Sequence, residues 1–152
     1  MSVLMTPDMS NFSGKVHGGA VLRLLDHVAY ACASRYARSY VVTMSVDRVI
    51  FREPIHVGEL VDFLASVNYT GTTSMEIGIR VEAENVQRGI RRHVNSSYFT
   101  MVAVDDNGAP TVVTAIRPRD PDGEQRYESA QRRRKAMREL HTHNLPASAP
   151  NA

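Results

Sequence analysis

Gly18-Gly19-Ala20-Val21-Leu22-Arg23-Leu24-Leu25-Asp26-His27-Val28-Ala29-Tyr30-Ala31-Cys32-Ala33-Ser34-Arg35-Tyr36 is the stretch from which the fold follows. Its apolar residues Val21, Leu22, Leu24, Leu25, Val28, Ala29 and Cys32 cover most of the circumference of a helix. A helix that is apolar nearly all round is buried, not laid on a surface. The stretch carries Arg23, Asp26 and His27, so it is too short and too charged to span a membrane.

Strand patterns follow the helix. Val41 to Phe51 is rich in β-branched residues. Gly58 and Gly71 mark turns on either side of a run in which Val61, Phe63, Ala65 and Val67 alternate with Leu60, Asp62, Leu64 and Ser66. Met75, Ile77, Ile79 and Val81 alternate with Glu76, Gly78, Arg80 and Glu82, a period of two. The charged stretch from Glu84 to Arg92 reads as a loop, and Val94 to Val104 as the next strand. Asp105-Asp106-Asn107-Gly108 is a hairpin turn, leading into a short last strand from Thr111 to Ile116. Pro121-Asp122-Gly123 opens a polar helix to about Leu140. Residues 1–16 are polar and turn-rich, and no internal repeat is present.

The order is loop, buried helix, about five antiparallel strands, polar helix. One long helix cannot cover itself, and a strongly curved antiparallel sheet wrapped round it is the α+β solution. The expected organisation is a single domain over residues 1–140 with a disordered tail over 141–152, a tail rich in Pro, Ala, Ser and Asn. A single such unit leaves sheet edges open, so a dimer is expected.

The 152 residues and 43% hydrophobic content suffice for one domain with a real core. The only cysteine, Cys32, excludes a disulfide within the chain. With no basic segment before an apolar one in the first residues, this points to a reducing, cytoplasmic setting. The net charge of +2 is unevenly spread: residues 117–138 hold eight basic and four acidic side chains. Such a segment suits nucleic acid, nucleotide phosphates or a solvated helix face.

Chemistry gathers at the start of the first helix. His17-Gly18-Gly19 places adjacent glycines where a ligand can approach the backbone closely and where a helix N-terminus offers N–H groups to negative charge. Asp26 is a lone carboxylate two turns further on, and Asn11 lies in the preceding loop. Together these look like a site that polarises an acyl carbonyl and activates a water. The six histidines are scattered, without metal-ligand spacing, so no metal is expected.

In order and spacing the chain resembles the hotdog-fold acyl-CoA thioesterases, specifically the cytosolic long-chain acyl-CoA hydrolase group and its bacterial relatives. The stretches that carry the resemblance are Thr6-Pro7-Asp8 through Asn11, Gly14, Val16-His17-Gly18-Gly19 and Leu24-Leu25-Asp26. Further on come Ser45-Val46-Asp47 with Phe51, Thr73-Ser74-Met75-Glu76-Ile77, Ser97-Tyr98-Phe99-Thr100-Met101-Val102 and the helix from Glu124 to Lys135. They span about residues 5–138. The resemblance implies a hotdog fold, paired into a double-hotdog dimer and assembled as a trimer of dimers, with the active site at the dimer interface.

It maps the family's loop position, an Asn or Asp before His-Gly-Gly, onto Asn11, and its central-helix position, an Asp or Glu, onto Asp26. One departure is His27 directly after the acid, where Glu or another small or acidic residue is common in the family. Asp26 would deprotonate the attacking water, with burial supplying a raised pKa, or attack the thioester itself. Its bland alternative is a buried Asp paired with an Arg or capping a turn. Asn11 would orient the water or bind the carbonyl oxygen, or else serve only as a turn residue. Gly18 and Gly19 would offer N–H groups to the oxyanion, with His17 lining the site or capping the helix. Arg91, Arg92, Arg132, Arg133 and Lys135 are candidates for the phosphates of coenzyme A, and Thr73 and Ser74 for the edge of its pantetheine arm. No cofactor is implied beyond the coenzyme A of the substrate. Three other readings compete: hydration of an enoyl thioester, a non-catalytic acyl-CoA sensor, and a nucleic-acid binder using Arg132-Arg133-Arg134-Lys135. The first lacks its longer helix motif and the last lacks a recognition fold.

Overall fold

The first helix, α1, runs from Gly18 to Ala37 in the computed structural model, which describes residues 1–144. Val21, Leu25, Val28, Ala29 and Ala33 form its buried face. Ala29 and Ala33 are fully buried and let the backbone come close to the sheet. Leu25 is also fully buried, so Leu25→Ala would cost about 2–5 kcal/mol. The opposite face corrects the expectation of all-round burial. Within one chain Leu22 is 38% and Tyr30 41% exposed, because the sheet covers only one side of the helix.

The sheet has five strands: β1 (Ser2–Leu4), β2 (Tyr40–Phe51), β3 (Leu60–Thr70), β4 (Ser74–Asn85) and β5 (Ile90–Val104). Their spatial order is β1-β3-β4-β5-β2, and every pair is antiparallel. β3, β4 and β5 form a meander, while β2 crosses to the free side of β5. α1 packs on β2, β3, β4 and β5. The period-two residues Met75, Ile77, Ile79, Val81 and Ala83 line the core side of β4, and Phe63, Phe99 and Met101 join them.

Three expectations are revised. Glu84–Arg92 is not a loop: β4 and β5 extend through it to a tight turn closed by Gly89 (φ +65°). Its charges pair across strands, with Arg91 bonding Glu84 on β4, Glu82 on β4 and Asp62 on β3. Thr111–Ile116 is not a strand. β5 already has β4 and β2 as neighbours, so this segment makes isolated bonds, from Thr111 N–H to Ala103 O, from Val113 N–H to Thr72 O and from Ile116 N–H to Thr70 Oγ1. The fifth strand is instead β1, at the start of the chain, paired with Leu60–Asp62.

β2 carries two bulges, at Met44 between Thr43 and Ser45 and at Asp47 between Val46 and Arg48. The first breaks the alternation, so Thr43 opposes the core residue Met101 while Ser45 opposes Thr100. The Asp47 carboxylate accepts from Ser45 Oγ and from Thr100 Oγ1, the latter at 2.6 Å.

The chain divides into two compact units, Met1–Ile116 and Arg117–Ala152. The second contains α2 (Pro121–Asn144), which ends four residues beyond the expected Leu140. Thr142 Oγ1 donates to Arg138 O, and the His141 and His143 rings hydrogen-bond the Met137 and Glu139 carbonyls, satisfying backbone groups near the helix end. Of the tail expected over 141–152, residues 145–152 lie outside the described residues. No helix among the described residues is long and apolar enough to cross a membrane.

Candidate active site

The loop before α1 is built around Asn11. Its Oδ1 accepts from Ser13 N–H (2.9 Å), Ser13 Oγ (2.8 Å) and Lys15 N–H (3.1 Å), and Gly14 takes φ +76° to close the turn. Asn11 is thus the turn residue of the bland reading. Its Nδ2 has no acceptor among the described residues, so a donor remains for a ligand. Phe12, beside it, is fully exposed.

His17 is the N-cap of α1, and its Nδ1 accepts from Gly19 N–H at 2.9 Å. This corrects the expectation that both glycines present N–H groups. The Gly19 N–H is consumed by the cap, and only the Gly18 N–H stays uncommitted among the described residues. Gly18 opens on a cavity of about 330 Å³ lined by Val16, Val21, Phe51, Pro54 and Ile55. A Cβ at Gly18 would meet the Phe51 ring at 3.8 Å.

Asp26 is half-buried, and Thr43 Oγ1 on β2 donates to its Oδ1 at 2.7 Å. No ion pair engages Asp26 among the described residues, contrary to the paired-Asp alternative. One turn along α1, the rings of Tyr30 and Tyr40 meet edge-to-face with centroids 6.0 Å apart. These two contacts fix the outward side of α1 to the start of β2. His27 is exposed and makes no hydrogen bond among the described residues. Thr43 is the site residue that sequence reading missed. Seventeen residues from Asp26 and inside a β-branched run, it gives no local signal.

The predicted cations divide. The Arg91 guanidinium bonds Asp62, Glu82 and Glu84. Asp62 is held below the usual carboxylate range, first by the Ser2 hydroxyl and then by Arg91, and Glu82 by Arg80 and Arg91. Arg92 bonds Glu53 and both oxygens of Glu59, and its pKa is raised by those partners, Glu53 first. Both arginines are therefore committed within the chain rather than poised for a phosphate. Arg132 pairs loosely with Glu128 one turn back on α2 (3.5 Å), and Arg133 and Lys135 lie on the same helix. Thr73 O accepts from Ala103 N–H, and Ser74 opens β4. No hydrogen bond joins Asn11 to Asp26 within the chain.

On the far side of α1 from Asp26, a wider cavity of about 750 Å³ is lined by Val28, Cys32, Arg35, Phe63, Ala65 and Val67. Burial pushes the Cys32 thiol up, against the pull of Arg35. Among the described residues, no group of three or more His, Cys, Asp or Glu side chains is placed to hold a metal.

The sequence profile of the thioesterase superfamily matches residues 13–90. The Helicobacter pylori protein VdlD is 48% identical over 134 residues, covering 88% of this chain and 76% of that one. A solved hexameric acyl-CoA thioesterase superposes with a TM-score of 0.90 at 35% identity, covering 93% of this chain and 90% of its own. The Staphylococcus aureus acyl-CoA hydrolase, solved with butyryl-coenzyme A, coenzyme A and coenzyme A disulfide, gives 0.86 at 30% identity over 94% and 88%. That hydrolase has also been solved with an asparagine, an aspartate and a threonine each replaced by alanine. With the superfamily profile matching residues 13–90 and the fold superposing on these proteins over nearly its whole length, the chain belongs to the thioesterase superfamily, among the hotdog-fold acyl-CoA thioesterases.

Proposed function

We propose that the chain hydrolyses medium- to long-chain acyl-CoA to free fatty acid and coenzyme A with Asp26 as general base. The observation that carries this reading is the Thr43–Asp26 hydrogen bond, which aims a carboxylate free of any ion pair among the described residues. Asn11, Asp26 and Thr43 stand 15 and 17 residues apart, the same order and separations as the three substituted residues of the Staphylococcus aureus hydrolase. Asp26 takes a proton from water as the water oxygen attacks the thioester carbon. The oxyanion is met by the Gly18 N–H at the positive end of α1 and by Asn11 Nδ2. Collapse breaks the C–S bond, and the leaving thiolate takes the proton back from Asp26. No metal or cofactor enters these steps.

The site is completed by a second copy. Asn11 and Asp26 are not linked within one chain, Phe12 projects beside Asn11, and the free edge of β2 exposes Val42, Met44 and Val46. In our reading Asn11 of one protomer serves Asp26 of its partner in a double-hotdog dimer, three of which build a hexamer. Thr73 and Ser74 flank the pantetheine arm, and Arg132, Arg133 and Lys135 are the remaining candidates for the phosphates.

The test is coenzyme A release over acyl chains from two to twenty carbons, for wild type, Asp26→Asn and Asn11→Ala. Each single variant is expected to lose about 100-fold or more. Statistical mixing of the two variants is expected to restore about one quarter of wild-type activity, since each mixed dimer regains one of two sites. No restoration places the site within one chain. No turnover at any chain length with coenzyme A still bound favours the sensor reading.

A further inference from the structure

Arg92 ties together a segment that no other cation holds among the described residues. Its Nη2 donates to both oxygens of Glu59 (2.7 and 2.8 Å), and its Nη1 to Glu53 Oε2 (2.8 Å) and Pro54 O (3.2 Å). Glu59 is 6% exposed and also accepts from His56 N–H at 2.8 Å. The strap from Glu53 to Glu59, which joins β2 to β3, is therefore fastened at both ends to one guanidinium on β5.

The strap touches the site loop twice. Ile55 O accepts from Val16 N–H at 2.9 Å, and Lys15 bridges His56. Val16 immediately precedes His17, the cap of α1. Lys15 N–H donates to Asn11 Oδ1, and Lys15 O accepts from Asn11 N–H at 2.6 Å. Glu53, Pro54 and Ile55 also form one wall of the cavity at Gly18. Two bonded steps thus lead from Arg92 to Val16, two residues before Gly18, and a third leads through Lys15 to Asn11.

We propose that Arg92 is a positioning residue for thioester hydrolysis: by clamping the 53–59 strap it fixes the Asn11 loop and the Gly18 wall, and it does not bind the phosphates of coenzyme A. The proposal rests on the assignment of Asn11 and Gly18 above. Small displacements of positioned groups cost up to about 100-fold in rate. A phosphate ligand would instead weaken binding of the nucleotide portion alone.

The experiment compares wild type, Arg92→Met and Arg92→Lys on an acyl-CoA and on the matching acyl-pantetheine thioester, which lacks the nucleotide phosphates. Arg92→Met is expected to lower kcat about 10- to 100-fold on both substrates alike, with KM for the CoA ester within about threefold. Arg92→Lys keeps a charge beside Glu59 but cannot span Glu53, Pro54 and Glu59 together, and is expected to fold with an intermediate kcat. A loss confined to the CoA ester and expressed in KM overturns the proposal in favour of phosphate binding. A lowered Tm with unchanged kcat overturns it in favour of a purely structural role. Should Arg92→Met not fold, an unimpaired kcat in Arg92→Lys overturns it. Asn11→Ala, run alongside, separates the two readings. Full activity there rejects the assignment of Asn11, whereas loss there with normal kcat in Arg92→Met rejects only the strap.

Discussion

Thr43→Val removes one hydroxyl and little else. Valine keeps the branched shape and favours strands, and position 43 is exposed on an edge strand, so packing is kept and any loss of stability is at most that of the hydrogen bond, about 1.5–3 kcal/mol. What is lost is the 2.7 Å bond from Oγ1 to Asp26 Oδ1. A hydrogen bond to a charged acceptor is worth about 1.5–3 kcal/mol. If that energy orients Asp26 in the transition state, each 1.36 kcal/mol is a factor of ten, and kcat falls about 10- to 150-fold. Asp26→Asn, which removes the base itself, should cost about 100- to 10,000-fold. Steady-state coenzyme A release gives kcat and KM, and thermal unfolding with a mass measurement confirms that fold and assembly persist. Thr43→Ser retains the donor and should stay within about threefold of wild type. A Thr43→Val enzyme within about twofold of wild type, or a Thr43→Ser enzyme damaged as badly as the valine variant, refutes the assignment of Thr43 as the group that aims Asp26.

Asn11→Asp should keep all three hydrogen bonds to its Oδ1 yet replace the free amide donor with a negative charge. Activity should fall about 100- to 1,000-fold at unchanged Tm, and an active Asn11→Asp enzyme would reduce Asn11 to its turn. Gly78→Ala would place a Cβ 2.3 Å from Nδ2 of the buried Asn68, whose Oδ1 accepts from Ser66 Oγ. Denaturant unfolding should show a loss of about 1–3 kcal/mol, with turnover per folded enzyme unchanged. Arg91→Gln should be less thermostable than wild type near neutral pH, because Asp62 and Glu82 are held below the usual carboxylate range partly by Arg91. The folded chain then binds fewer protons than the unfolded one at mildly acidic pH. That stability is present above the ordinary carboxylate pKa of about 4 and drains as pH falls through the lowered values. The Tm gap between wild type and Arg91→Gln should therefore close in acid, and a gap constant down to about pH 2.5 would show that the network does not carry it.

α1 and β4 were legible because local periodicity and burial agree there. The start of α1 was legible too, since His17-Gly18-Gly19 names a cap and an approachable backbone. β1 was not, because three residues form a strand only through pairing with Leu60–Asp62, 58 residues away. Charge hid the Glu84–Arg92 strand ends, since Glu82, Glu84 and Arg91 are stable there only as cross-strand partners. β-branching misled over Thr111–Ile116, where topology leaves no free edge to join. In the site, Asp26 announced itself as a lone acid in an apolar helix. Thr43 meets it only through the packing of β2 on α1, 17 residues on, and Arg92 meets Glu53 and Glu59 from 39 and 33 residues away.

The two bulges of β2 have a further effect on the fate of the chain before and after assembly. A flat, apolar strand of twelve residues at a sheet edge is a template for indiscriminate stacking. Here the interruptions at Met44 and Asp47 cut the regular ladder into runs of four, two and four residues. Each is shorter than the six or so residues from which a steric zipper is built. This edge of a newly made protomer is thus poorly suited to amyloid-like growth, and only a strand with matching irregularities can lie along its full length.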